Sequence, residues 1–192
     1  MRLLLTTLAP VFITQSHASR PARAIPDFLA AGHEVYLAAP LAGRADEIRE
    51  AWKVRSVLPL LPCPPGSWAR LAVNAYRLAV WGKQWRADVY LSTGGRAAMV
   101  AHAGRSAANG YGLSALVLPA LRWQAQGGLN GWIERRAIPE SDRVLTYDPE
   151  VVETAITRYG ARRADTILLP GEETAPFVTL CEQFLIEPPG YP

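Results

Sequence analysis

The feature that most constrains the fold of this 192-residue chain is a pair of apolar runs with a single helical segment between them. The first run, Arg2-Leu3-Leu4-Leu5-Thr6-Thr7, reads as a strand. After a loop at residues 9–20, residues 21–31 read as a helix, with Pro21 in the first turn and Gly32 just past the end. The second run, residues 34–39, is again strand-like. Strand, glycine-stopped helix and strand make a βαβ unit, whose two strands must run parallel. Pro26 lies inside the helical segment, where it removes a backbone donor, so a kink or a late start is expected there.

The same alternation continues. The pattern predicts a polar helix over 46–52, a strand over 54–58, and a rigid loop over 59–66, where four prolines fall in eight residues. A helix follows over 67–85, with Ser67 as N-cap and Trp68, Leu71, Ala72, Ala75, Leu78 and Ala79 as its apolar stripe. Strands over 89–91, 113–118, 143–147 and 166–169 then alternate with helices over 96–108, 128–137 and 150–159, and a last helix covers 175–187. This order implies an α/β chain: a Rossmann-like, doubly wound, mainly parallel sheet of about seven strands with helices on both faces. Residues 1–171 form the domain, and residues 172–192 a helical tail. Ligands of such sheets bind beyond the carboxyl ends of the strands.

Composition narrows the function classes. Hydrophobic residues at 49% and charged residues at 19% suit a packed core. A net charge of +3 without any run of Lys and Arg argues against a nucleic-acid partner. Cys63 and Cys181 are far apart, which points to neither a disulfide framework nor a cysteine metal site, and the chain reads as cytoplasmic. Residues 1–18 have some features of a secretory leader, but Pro10 interrupts the apolar run and Leu3 to Thr7 are needed as the first strand. No apolar stretch reaches the roughly twenty residues that span a bilayer. Asp142, Asp148, Glu150 and Glu153 suit helix starts, where the dipole favours acidic groups, so no metal is expected.

Four segments carry a family resemblance: Ala30-Ala31-Gly32-His33-Glu34-Val35-Tyr36-Leu37-Ala38-Ala39-Pro40, then Ala87-Asp88-Val89-Tyr90-Leu91-Ser92-Thr93-Gly94-Gly95, then Ser141-Asp142-Arg143-Val144-Leu145 with Asp148-Pro149-Glu150-Val151, and Thr166-Ile167-Leu168-Leu169-Pro170-Gly171. Together they resemble the amino-terminal, acceptor-side domain of GT-B glycosyltransferases, as in families 28, 1 and 4. The resemblance implies sugar transfer from a nucleotide sugar, as co-substrate, to a hydroxyl acceptor, with no further cofactor. It also implies a second Rossmann-like, donor-binding domain. Too few residues follow Gly171 for that domain, so the expectation is a split or truncated enzyme, inactive alone, with a possible donor-binding partner chain.

Residue by residue, the resemblance places a catalytic base at His17, fifteen positions before Gly32. An imidazole near neutral pKa suits removal of the acceptor's proton. A loop histidine facing water is the alternative. Gln15 and Ser16 stand where the family has a glycine pair against the donor phosphates, and Arg20 where it usually has proline, as a group for an anionic substrate. Thr93, Gly94 and Gly95 mark the acceptor side, two glycines leaving room at the strand's edge. Leu118-Pro119-Ala120-Leu121 replaces the polar loop that the family carries after its fifth strand. Residues 67–86 interleave Trp68, Tyr76, Trp81 and Trp85 with Arg70, Arg77, Lys83 and Arg86, a pattern suited to peripheral contact with the inner face of a membrane or to plain packing. The competing accounts are a fragment of a longer transferase and a non-catalytic, degenerate binding module.

Overall fold

The two apolar runs pair as the βαβ reading requires. In a computed structural model, which describes residues 1–14, 19–64, 66–118, 128–169 and 175–186, β1 (Arg2–Thr6) and β2 (Glu34–Pro40) lie parallel, Leu3 opposite Val35 and Leu5 opposite Leu37. The segment between them is two helices rather than one, α1 (Arg20–Arg23) and α2 (Ile25–Ala30), joined at Ala24. Pro26 explains the break, since it has no N–H to continue the ladder and must sit in the first turn of a new helix. Gly32, at φ +79°, turns the chain into β2.

Next come α3 (Ala45–Trp52), β3 (Ser56–Leu60), α4 (Trp68–Trp85), β4 (Val89–Thr93) and α5 (Gly95–Ala107). Then follow β5 (Leu113–Leu118), α6 (Gly128–Glu140), β6 (Arg143–Thr146), α7 (Pro149–Tyr159), one 3₁₀ turn, β7 (Thr166–Leu168) and α8 (Ala175–Ile186). The seven strands form one parallel sheet in the order β3-β2-β1-β4-β5-β6-β7. This is an α/β, Rossmann-like fold. The winding reverses between β1 and β4, and the crevice of such a sheet opens at that point.

Both faces of the sheet are covered, which is why its strands read as continuous apolar runs. On one face Leu3, Leu5 and Leu37 pack against Ile25 and Phe28 of α2, Ile48 and Trp52 of α3, and Phe177, Cys181 and Phe184 of α8. α8 therefore shares the core of β1 and β2. On the other face Leu4, Tyr36 and Tyr90 meet Leu71 and Leu78 of α4, and Leu116 and Val144 meet Ala98, Ile138 and Val151 of α5, α6 and α7.

Two local expectations are corrected. β3 starts two residues later than the pattern places it and takes in Pro59 and Leu60, so the proline-rich loop begins only at Leu61. An edge strand has a neighbour on one side only, and there a residue without N–H is tolerated. The buried stripe of α4 is Leu71, Asn74, Leu78 and Gly82, while Trp68 and Ala72 are exposed. Packing chooses this stripe. Asn74 accepts from the Leu61 amide at 2.8 Å and donates to its carbonyl at 3.0 Å, and Gly82 crosses Gly104 of α5 so closely that a Cβ would overlap the Gly104 carbonyl. Ser67 holds the N-cap position of α4, but its hydroxyl makes no cap bond.

Candidate functional site

The carboxyl ends of the strands form the wall of an open cleft of about 600 Å³. Thr93 ends β4, Val117 lies near the end of β5, and Tyr147, Asp148 and Pro149 make the turn from β6 into α7. Ser19 and Pro21, at the start of α1, complete the lining from the loop that follows β1. The hydroxyl oxygens of Ser19 and Thr93 are buried and have no hydrogen-bond partner, as is that of Thr6 at the end of β1. Buried polar atoms are nearly always paired in folded proteins, so two unmet hydroxyls on one cleft wall mark where a polar ligand or ordered water fits.

Gly94 and Gly95 play different parts. Gly94 caps α5 with φ +81°, its amide donates to the Val117 carbonyl at 2.8 Å, and the space on its Cβ side is open. Only glycine adopts that conformation without strain. Gly95 faces α6, where an added Cβ would lie 3.2 Å from Cγ of Glu134. Ala98 is the first residue of α5 to bond back, to the Gly94 carbonyl, and no side chain caps the helix. The amides of Gly95, Arg96 and Ala97 thus lack helical acceptors, as at any helix start. The Arg96 guanidinium ties the loop after β3 to this corner, donating to the Cys63 carbonyl at 3.0 Å, its Sγ at 2.8 Å and the Pro64 carbonyl at 3.0 Å.

Three of the four acidic residues of the sequence reading are in structural use, though Asp142 precedes β6 and Glu153 lies inside α7 rather than at a helix start. Asp148 caps α7 by accepting from the Glu150 amide at 2.9 Å. Asp142 accepts from the Ser114 amide at 2.8 Å and pairs with Arg105 at 3.0 Å, and Glu153 pairs with Arg163 at 3.0 Å. Among the described residues no three His, Cys, Asp or Glu side chains gather as metal ligands.

Gln15, Ser16 and His17 lie outside the described residues, as do Pro119, Ala120 and Leu121. Arg20 is the first residue of α1, beside Ser19, with its side chain also outside the description. Of the named site residues, Thr93 therefore lines the cleft, Gly94 follows it as the cap of α5, and Gly95 packs against α6. Sequence reasoning missed Ser19 and Glu134. Glu134 is 4% exposed, its Oε2 has no partner, and burial pushes its carboxyl up to about 7. The signal was spacing: Glu134 precedes Ala137 and Ile138 by three and four residues, so a helix over this segment puts a carboxylate on its buried stripe.

On α4, the rings of Trp81 and Trp85 meet at a tilt with centroids 4.0 Å apart, and Trp85 meets Tyr36 likewise at 4.5 Å. Tyr76 is 71% exposed, Val73 and Val80 are exposed beside it, and Leu58, Pro59, Tyr76, Arg77, Val80 and Trp81 line a groove of about 530 Å³. Among the described residues no helix is long and apolar enough to cross a membrane.

No family model matches the sequence, and no curated protein is significantly similar to it. Solved structures are similar in fold. A UDP-N-acetylglucosamine 2-epimerase superposes with a TM-score of 0.62 at 12% identity, over 88% of this chain and 47% of its own. A lipopolysaccharide outer core galactosyltransferase gives 0.61 at 15% identity, over 88% and 45%. A sucrose-phosphate synthase structure from Thermosynechococcus elongatus gives 0.63 at 11% identity, over 97% and 98%. The chain spans about half the length of the first two. It has the Rossmann-like fold found in GT-B glycosyltransferases and UDP-N-acetylglucosamine 2-epimerases.

Proposed function

We propose that this chain is the acceptor-side half of a glycosyltransferase, which transfers a sugar from a nucleotide sugar to a hydroxyl acceptor together with a donor-binding domain carried elsewhere. The observation that carries this reading is the cleft at the carboxyl ends of β4, β5 and β6, lined by Ser19, Thr93 and Tyr147 among others. Its location is where a Rossmann-like sheet binds ligands, and its wall of mixed polar and apolar residues suits an uncharged acceptor. In this reading Thr93, Gly94, Gly95 and Arg20 serve the acceptor, His17 removes its proton, and Gln15 and Ser16 belong to the loop for the donor's phosphates.

A tagged pull-down from the source cells, followed by a transfer assay on the eluate, tests the reading. Recovery of a second Rossmann-like chain with transfer activity is expected, and His17→Ala should abolish turnover of that pair while the circular-dichroism spectrum stays unchanged. Transfer undiminished by His17→Ala removes it from the base role.

One observation favours a second reading, a non-catalytic binding module: Asp148, the carboxylate among the described cleft-lining residues, is spent on capping α7. Recovery of the chain alone, inert towards nucleotide sugars, is the result that selects it. For the outer face of α4, the absence of any acidic residue over 67–86 and the exposed Val73, Tyr76 and Val80 support contact with an anionic membrane surface. Sedimentation with phosphatidylglycerol vesicles but not phosphatidylcholine vesicles, lost in Tyr76→Ser, is the expected result.

A further inference from the structure

The cleft at the carboxyl ends of the strands has a mixed lining. Ser19, Thr93 and Asp148 are its polar residues, and Pro21, Val117, Tyr147 and Pro149 make up the rest. Tyr147 is the one aromatic residue among the described lining residues. It stands between β6 and α7, half-buried and packed against the core on the α8 face of the sheet. The ring of Phe177 on α8, 1% exposed, lies 6.3 Å from it between centroids. The same side chain thus packs on the core and lines the cleft, so its ring is a surface held from within.

The chemistry of the lining selects the ligand. A cleft of about 600 Å³ has the size of those that take drug-sized organic molecules. Among the described lining residues the charged group is the Asp148 carboxylate, and none is cationic, so an anion would meet repulsion with nothing to offset it. A sugar ring brings a full set of hydroxyls, and each one left unmatched on an apolar wall forfeits its hydrogen bonds to water. Two prolines, a valine and an aromatic ring are a poor match for that set. A flat apolar ring with a single hydroxyl suits them better, because it buries its face on Tyr147 and keeps the one group that transfer requires.

We propose that the acceptor at this cleft is a hydroxylated aromatic compound whose ring packs on Tyr147. The inference rests on the acceptor-side reading and names the acceptor's chemical class. On transfer the phenolic oxygen joins the anomeric carbon as the sugar's bond to the nucleotide's diphosphate breaks, and the phenolic proton passes to His17. A phenol, with a pKa of about 10 as in tyrosine, gives up that proton more readily than an alkyl alcohol.

The test is a titration of the ¹³C,¹⁵N-labelled chain with 2-naphthol, with methyl α-D-glucopyranoside and 2-naphthoate as contrasting probes, read at the amides of Thr93, Tyr147 and Asp148. Saturable shifts with 2-naphthol are expected, weakened roughly tenfold in Tyr147→Leu, which loses the ring, and recovered in Tyr147→Phe, which restores it. The spectra report the folding of both variants, and intermolecular NOEs from naphthol to the Tyr147 ring in the wild type check the contact without any variant. Naphthol shifts that are absent, as strong in Tyr147→Leu, or confined to Tyr76 and Trp81 in the α4 groove overturn the proposal, as does tighter binding of the glucoside or of naphthoate. Transfer by the recovered pair to a carbohydrate, with no turnover of 2-naphthol, removes the aromatic acceptor and leaves the acceptor-side reading standing. Naphthol bound at Tyr147 with no transfer by any recovered pair does the reverse.

Discussion

Single residues in this fold show how burial sets chemistry. Glu134 has a folded pKa of about 7 against an ordinary value of 4.5, with desolvation as the cause. Between these two pH values the folded state binds more protons than the unfolded one, so stability is full below pH 4.5 and declines as pH rises to 7. The loss is on the order of 2–3 kcal/mol, and urea unfolding at pH 5 and pH 8 should show it in wild type and not in Glu134→Gln. The two cysteines differ for the same reason. Burial pushes the Cys181 thiol up to about 12, whereas Cys63 is partly exposed under the Arg96 guanidinium. A disulfide reagent should label Cys63 in the native protein and reach Cys181 only after unfolding.

At the scale of elements, the crossing of α4 and α5 is a backbone-close contact. Gly82 and Gly104 let the backbones touch, and a Cβ at Gly82 has backbone rather than a movable side chain in its way. Gly82→Ala should therefore destabilise by about 2–3 kcal/mol or more, despite alanine's better helix propensity, as read by thermal or urea unfolding. The crossing also matters for the cleft, because α5 begins at the cleft and is held in place by α4 and α6. On the opposite face of the sheet α8 is tied down by Glu182, whose Oε1 is 2.8 Å from Nε2 of His33 in the turn before β2. That bond joins the last helix to the opening βαβ unit.

For the whole molecule, the strand order puts the chemistry on one side. Reversal of winding between β1 and β4 leaves the ends of β1, β4, β5 and β6 on one open edge, where Ser19 and Thr93 line the cleft. Thr93→Val keeps the shape and removes the hydroxyl. In a reconstituted pair it should raise the KM for acceptor roughly tenfold with the fold unchanged, and an unaltered KM would take Thr93 out of the binding site.

The sequence by itself determined the element order, the parallel sheet and the side on which a site must lie, because hydrophobic period, helix stops and the handed, short connections of βαβ units are local signals that leave one arrangement. It also marked the turn at Gly94, since a glycine pair directly after a strand reports a backbone conformation that other residues resist. Tertiary structure alone decided that Asn74 and Gly82 belong in the buried stripe of α4, that Gly95 serves α6 rather than open space, that β3 absorbs Pro59 as an edge strand, and that Oε2 of Glu134 has no hydrogen-bond partner. Each of these depends on what a distant segment brings against the residue, and neither propensity nor spacing within an element carries that information.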